Sequence, residues 1–512
     1  MITKGHPQHV RSGCSETMKL QRKYITGVLV FLLLPMLLLS GLSGCGRQEK
    51  SPVAVSYPDP VEFDFDEIRE RGTIRMLTRY NSSSYFLHRG IDRGFEFEMV
   101  SRFAEEHGLK VEVVLLGTDD DPITLLNRGD GDLIASNYAI TPDRTPHINF
   151  SSPYNFVNQV LVQAGNQEPV SDLSDLEGMI ISVREKSSYF TTLQKLRDQG
   201  LNIIIDVVSE DWNTEALIHE VAEGRIQATV ADDNLYRVTS NYIDGVQAGL
   251  VLAEQDTVAW GVRRNAPQLK EKMDEFMAEH FRIRESDGRV LRSAFLNVLR
   301  RRYFEDERQA TRFRDRSFDM IYTGYISPYD NLVRDIAEEA GVDWKLVLAV
   351  MAQESQFNPN ARSWAGAVGL MQIIPRFSRV EDEALLYDPE INIREGVRYL
   401  QKHLNRYAHL DSLNRYSMAL ANYNVGMGHI ADARHLAVQL GNDPDEWENV
   451  ADALLRLMHR KYYQHARYGF KRGVETVNYV EDIMNRYSRY HAIAELAAHF
   501  RERNMDDAVS SR

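Results

Sequence analysis

From TIRMLTRY at Thr73 to TVAWGVR at Thr257, short apolar runs alternate with segments of helical period, and this alternation constrains the fold more than any other feature. GFEFEMVSRFAEEHG reads as a helix ended by Gly108, with KVEVVLL as the strand after it; LIASNYAI, VLVQAG, MIISVRE, IIIDVV and ATVADD continue the series. Strand and helix repeated in this way pack as layers, so residues 67–280 are expected to form an α/β domain. The rhythm then stops. Residues 281–325, rich in Arg and aromatic side chains, read as a solvated helical linker whose basic run suits glycan, lipid phosphate or the acidic first domain. Residues 326–492 read as a mostly helical second domain, and 493–512 as a tail that is polar enough after Phe500 to be disordered.

The amino-terminal end places basic Lys19, Arg22 and Lys23 before an apolar stretch from Ile25 to Leu42, broken by Pro35 and closed by Leu42-Ser43-Gly44-Cys45. Charge, apolar core and small residues in that order form a secretory signal over residues 1–44. A membrane span is the alternative, but it needs about 20 apolar residues. Met18, directly before the basic segment, is a second candidate start. Ser51 to Asp64, SPVAVSYPDPVEFD, lies in a proline-rich tether assigned to residues 45–66. The only cysteines are Cys14 and Cys45, so the exported chain is expected to hold no internal disulfide. Residues 1–44 carry five of the 60 basic and one of the 74 acidic side chains, which moves the formal charge from −14 to −18 once they are removed. So acidic a chain is not expected to bind nucleic acid.

The richest run is AVMAQESQFNPNARSWAGAVGLMQIIP, Ala349 to Pro375. Trp344, Leu346, Val347, Leu348, Val350 and Met351 make the helix before it apolar on nearly every face, so Glu354 at its end should sit where water is scarce. Burial favours the neutral acid, which can then donate a proton to a glycosidic oxygen. An isolated Glu-Ser pair would read as a helix end. Here Ser363, Gly366-Ala367, Gly369-Leu370-Met371-Gln372 and Pro375 follow it, and Tyr423 and Asn424 arrive later in LANYNVG.

This pattern resembles the family 1 lytic transglycosylases, whose catalytic domain is a lysozyme-like bundle of helices, and the resemblance extends from about Ser327 to about Tyr490. It implies that Glu354 is the lone acid and base, that Ser355 completes the Glu-Ser pair, and that Ser363 faces an N-acetyl group. It further implies that Met371 and Gln372 line the groove and that Tyr423 and Asn424 close it; on their own, Tyr423 reads equally as a core aromatic and Asn424 as a helix cap. Asn422 replaces a small residue found in many members, which bears on fine substrate preference. Two-acid glycosidases hold their carboxyls roughly 5–10 Å apart. With a single Glu, the resemblance implies protonation of the bond between N-acetylmuramic acid and N-acetylglucosamine. The muramic 6-oxygen then closes on the anomeric carbon, giving 1,6-anhydro ends without water. The alternatives are a muramidase hydrolase, which would need Asp382, Glu383 or Asp388 to face the glycan, or a solute-binding lipoprotein whose second domain only binds murein.

RGFEFEMV, DGDLIASNYAITPDRTPHINFSSPY and GRIQATVADDNLY resemble the periplasmic amino-acid-binding proteins, solute-binding family 3. The fold implied for the chain is therefore a two-lobed α/β periplasmic-binding-protein-like domain followed by a mostly α lysozyme-like domain. The resemblance gives Arg144 to a ligand carboxylate and Asp232 to its amino group; without it both read as surface charges. A guanidinium fork meets a carboxylate in two hydrogen bonds, which favours Arg over Lys there. Tyr80, Tyr85 and Tyr138 are candidates for the cleft wall or for the core. LSGC resembles a bacterial lipobox, which implies lipid on Cys45, and Gly46 after it implies sorting to the outer membrane. The partners expected are peptidoglycan strands, a small amino acid or muropeptide, and the outer membrane through the lipid; no cofactor or metal is expected.

Overall fold

A computed structural model describes residues 56–88, 90–117, 120–210, 212–241, 243–284, 286–305 and 325–510, with side chains to residue 498. The chain divides into Met1–Ser56 and Tyr57–Arg512, and the second unit holds both folded domains. The secretory signal, Cys45 and most of the tether lie outside the described residues.

The first helix begins directly after the proline-rich run Ser51 to Asp64. Asp64 and Glu67 form a reciprocal capping box that starts the helix Phe65–Arg71, and Phe65 and Ile68 are buried. Two five-stranded sheets follow. The first runs Lys110–Leu115, Thr73–Thr78, Leu133–Ile134, Gly261–Val262, Asn149–Phe150, and the second Val246–Val258, Asn155–Ala164, Ala228–Asp232, Ile180–Arg184, Ile204–Val208. Thr73 pairs with Lys110 and Thr78 with Leu115 in a parallel ladder, and Ile180 to Arg184 pair in parallel with Ile204 to Val208. The long strands Asn155–Ala164 and Val246–Val258 run antiparallel through three register shifts. Sheet faces need cover on both sides. Phe95–Glu106 supplies it for the first sheet through Met99, Val100 and Phe103; Ser188–Asp198 does so for the second through Leu193 and Leu196.

Of the segment expected to be a solvated helical linker, the described residues 281–284 and 286–305 are only partly helical and partly buried. Phe281–Ile283 and Val290–Arg292 pair as a hairpin, and a helix Ala294–Arg300 passes into a π turn Arg301–Glu305. Leu296, Leu299, Tyr303 and Phe304 are buried, and Tyr303 donates to Glu98 while accepting from the Gly94 N–H at 3.1 Å. Alternating apolar and basic residues let this stretch seal one side of the first domain, their aliphatic stems covering apolar surface.

The second domain is helical. Asp330–Ala340 stops at Gly341, whose φ of 64° suits glycine, and Trp344–Ser355 runs through the centre with Leu346 to Ala352 all buried. Pro389–Arg406, Ser412–Val425, Met427–Gln439, Trp447–Arg456 and Gly473–Ser510 surround it. The last helix continues through the stretch expected to be a disordered tail; no Gly or Pro after Gly473 interrupts it. It also touches the first domain: Lys110 Nζ reaches Asn478 Oδ1 at 3.1 Å and Glu481 Oε2 at 3.3 Å, and Arg489 pairs with Asp92 at 3.5 Å. Among the described residues, no helix is long and apolar enough to cross a membrane.

Candidate active site

Glu354 sits in the last turn of Trp344–Ser355, just before two residues with left-handed backbone, Gln356 (φ 50°) and Phe357 (φ 60°). The buried helix behind it holds it in place, and the sharp turn after it leaves part of its surface accessible. Burial raises its pKa from the usual 4.5 to about 7, opposed by a hydrogen bond that Tyr479 Oη donates to Oε1 at 2.6 Å. Among the described residues, no carboxylate is one of the groups that shift Glu354. Asp382, Glu383 and Asp388 are occupied elsewhere: Asp382 caps the turn Glu383–Tyr387, Glu383 pairs with Arg362, and Asp388 caps Pro389–Arg406.

The loop opposite Glu354 is held by its own hydrogen bonds. Ser355 Oγ donates to the Leu370 carbonyl at 2.8 Å, and Ser363 Oγ accepts from the Ala367 N–H at 3.0 Å. Tyr423 Oη donates to the Met371 carbonyl at 2.8 Å, which brings Tyr423 to the region of Glu354. Asn424 lies exposed at the helix end and accepts from Thr476 Oγ1 at 2.9 Å.

Three readings change. The Met371 side chain is fully buried against Gly396, where an added Cβ would stand 2.2 Å from Sδ, so Met371 presents its carbonyl rather than a groove-lining side chain. Gln372, at φ 49°, turns its amide back to the Gly369 carbonyl at 2.9 Å and shapes the loop from within. Asn422 faces inward, with Nδ2 donating to Tyr407 Oη at 2.7 Å, so its side chain bears on packing.

Sequence reasoning missed two residues of this site. Tyr479 lies within the stretch from Ser327 to Tyr490 that resembles the transglycosylases, but in no motif singled out there. Asn392, fully buried, accepts from the Met371 N–H at 2.8 Å and donates to the carbonyls of Val368 and Leu386 at 2.9 and 2.7 Å. An asparagine on the apolar face of INIREGV was the available signal.

In the first domain, Arg144 follows the strand Leu133–Ile134 of the first sheet, and Asp232 ends the strand Ala228–Asp232 of the second. The Arg144 guanidinium stacks 3.9 Å from the Tyr138 ring centroid and donates to the Ala139 carbonyl at 2.7 Å. Asp232 accepts from Asn137 Nδ2 at 2.6 Å, while the Asp232 N–H donates to Tyr189 Oη at 3.2 Å. Burial, then Asp256 and Asp233, raise the Asp232 pKa to about 7. Tyr80, Tyr85 and Tyr138 are all buried: Tyr80 Oη accepts from the Leu87 N–H, Tyr85 Oη donates to Asp92, and Tyr138 packs in a cluster with Leu77, Ile134 and Ile148 under the Arg144 guanidinium. Glu96, which sequence reasoning did not single out, is buried beneath the cleft and takes hydrogen bonds from Asn137 N–H, Trp260 Nε1 and Tyr154 Oη. Among the described residues, Glu106, Glu279 and His280 lie close enough together to ligate an ion, but Arg102 already pairs with Glu106 at 2.7 Å.

The model of the transglycosylase SLT domain matches residues 331–444, and that of bacterial extracellular solute-binding proteins, family 3, matches residues 73–286. An ancestral arginine-binding protein bound to arginine aligns over 46% of this chain and 99% of its own, at 23% identity and a TM-score of 0.39. The two domain matches define a transglycosylase SLT domain joined to a family 3 solute-binding domain. Membrane-bound lytic murein transglycosylase F of Desulfosudis oleivorans is 33% identical over 82% of this chain and 90% of its own length. That of Photobacterium profundum is 30% identical over 92% and 88%. The chain belongs to the membrane-bound lytic murein transglycosylase F family, and it is a lytic transglycosylase.

Proposed function

We propose that this enzyme cleaves the β-1,4 bond between N-acetylmuramic acid and N-acetylglucosamine in peptidoglycan without water, leaving 1,6-anhydromuramic ends, in cell-wall turnover. The observation that carries the reading is Glu354: an acid raised to about 7, hydrogen-bonded by Tyr479, with no carboxylate of the described residues among the groups that shift it. The neutral carboxyl gives its proton to the glycosidic oxygen as the bond to the anomeric carbon breaks. The resulting carboxylate takes the proton of the muramic 6-hydroxyl while that oxygen bonds to the anomeric carbon, so Glu354 ends protonated again. The Tyr479 phenol steadies the intervening carboxylate, and the substrate's acetamido group helps carry positive charge. Ser355 and Gln372 fix the loop that faces the sugar, and Ser363, Tyr423 and Asn424 are its candidate sugar contacts.

The same proposal places Cys45 on lipid at the periplasmic face of the outer membrane. Arg144 and Asp232 hold a small ligand whose binding alters access to glycan through the contacts between the domains. By linkage, glycan and ligand then change each other's affinity equally. Mass spectrometry of purified murein digested by the full chain tests the reaction. Anhydromuramic ends support it, reducing ends one water heavier mean a hydrolase, and no fragments mean a binder. Equal cleavage rates with and without saturating amino acid or muropeptide would remove the regulatory part alone.

A further inference from the structure

The first domain carries more positive charge at its cleft than one amino-acid carboxylate needs. Arg79 follows the strand Thr73–Thr78, Arg184 ends Ile180–Arg184, Glu210 follows Ile204–Val208 and Asp232 ends Ala228–Asp232. All four therefore stand at carboxyl ends of strands, where open α/β sheets receive ligands. Arg79 belongs to one sheet and Arg184 to the other, yet the two guanidiniums lie within electrostatic reach of each other, of Arg144 and of Glu210. Asn137 joins the lobes here by bonding both Asp232 and Asn234.

These guanidiniums are poorly satisfied by the protein. Among the described residues, Arg79 makes no hydrogen bond or ion pair, although it is partly buried. The Arg184 side chain is 13% exposed, and its one ion pair is a loose one, 3.8 Å to Glu210 Oε2, itself without a hydrogen-bond partner. Neighbouring guanidiniums left without acceptors in a cleft are costly unless a ligand supplies them. Burial and the Arg184 charge push the Arg79 pKa down to about 10, in line with that cost. The charged side chains acting on Arg79 and Arg184 are each other, Arg144 and Glu210, three guanidiniums to one carboxylate. A zwitterion adds no net negative charge there, whereas an amino acid with a second carboxylate does.

We propose that this cleft selects an α-amino dicarboxylate, with Arg79 and Arg184 clamping the second carboxylate. The assignment rests on the reading of Arg144 and Asp232 as the holders of the α-carboxylate and α-amino group. Arg79 is the specificity-determining residue, since Arg184 already shares Glu210.

Calorimetric titration of the full chain with L- and D-glutamate, L- and D-glutamine and L-arginine tests it. One glutamate enantiomer should bind at least ~10-fold more tightly than its amide, because a charge-assisted pair is lost with the amide. Arg79→Gln should abolish that preference while changing affinity for the amide by less than ~3-fold, the difference expected of a contact the amide never makes. Glutamine or arginine binding as tightly as glutamate overturns the dicarboxylate assignment but keeps the domain a small-ligand binder. Equal losses for acid and amide in Arg79→Gln show a structural role and also overturn it. Binding by none of the five overturns both this assignment and the amino-acid reading of the domain, and leaves the murein chemistry to its separate product assay.

Discussion

Tyr479 Oη donates a 2.6 Å hydrogen bond to Glu354 Oε1 across 125 residues of sequence, tying the last helix to the end of the buried one. Burial keeps the acid neutral and the phenol favours its anion, so the pair holds Glu354 near the pH at which a proton can move in both directions. The same helix bonds Lys110 and Asp92 of the first domain.

Glu354→Gln should reduce murein cleavage by about 10³-fold, within the range of a general acid-base group. It should also alter stability with a definite sign. Because the folded pKa of Glu354 is raised from 4.5 to about 7, its favourable contribution is whole below pH 4.5 and is lost as pH rises through 7. The Gln variant escapes that loss. Its unfolding free energy should match the parent at pH 4 and exceed it at pH 8 by at most about 3 kcal/mol, read by denaturant titration.

Tyr479→Phe removes a bond that favours the Glu354 carboxylate. The alkaline limb of kcat/KM, set by loss of the acidic proton, should move up by about half to one pH unit, with the maximal rate down roughly 10-fold. A pH profile that falls uniformly without moving would mean that Tyr479 only packs.

Asn392→Leu keeps the side chain's branching and heavy-atom count but strands the Met371 N–H and the Val368 and Leu386 carbonyls. At about 1–3 kcal/mol for each unsatisfied group, the second domain should lose several kcal/mol. Calorimetry should show the loss as a lower Tm.

An alanine at Gly90 would place its Cβ 2.0 Å from the Phe357 ring, three residues beyond Glu354, at a φ of 74° that already favours glycine. Gly90→Ala should therefore loosen the contact between the domains. Hydrogen exchange should rise in residues 354–360, with slower cleavage, while exchange in the core strand Ala228–Asp232 stays as it was.

Glu354 was legible because its whole setting is local: an apolar helix, a polar turn and a glycine-bent loop within one run of sequence. Tyr479 was not, because TVNYVED reads as one face of an amphipathic helix and only tertiary packing brings it to the acid. The alternation of strand and helix foretold an α/β domain, with its two lobes implied only by the resemblance, yet the strand Val246–Val258 was seen only at its end, since its register shifts break the period of two. The hairpin Phe281–Arg292 hid behind basic residues that resemble a helical surface, and its burial depends on the first domain it covers. Met371 illustrates a further limit: motif position placed it at the groove, but the side chain turned into the space left by Gly396.

Digestion of purified murein in ¹⁸O-enriched water, followed by mass spectrometry of the released fragments, tests the lone-acid account most directly. Ring closure by the muramic 6-oxygen predicts anhydro ends carrying no ¹⁸O. Reducing ends labelled with ¹⁸O would show that water attacks the anomeric carbon, and would contradict it.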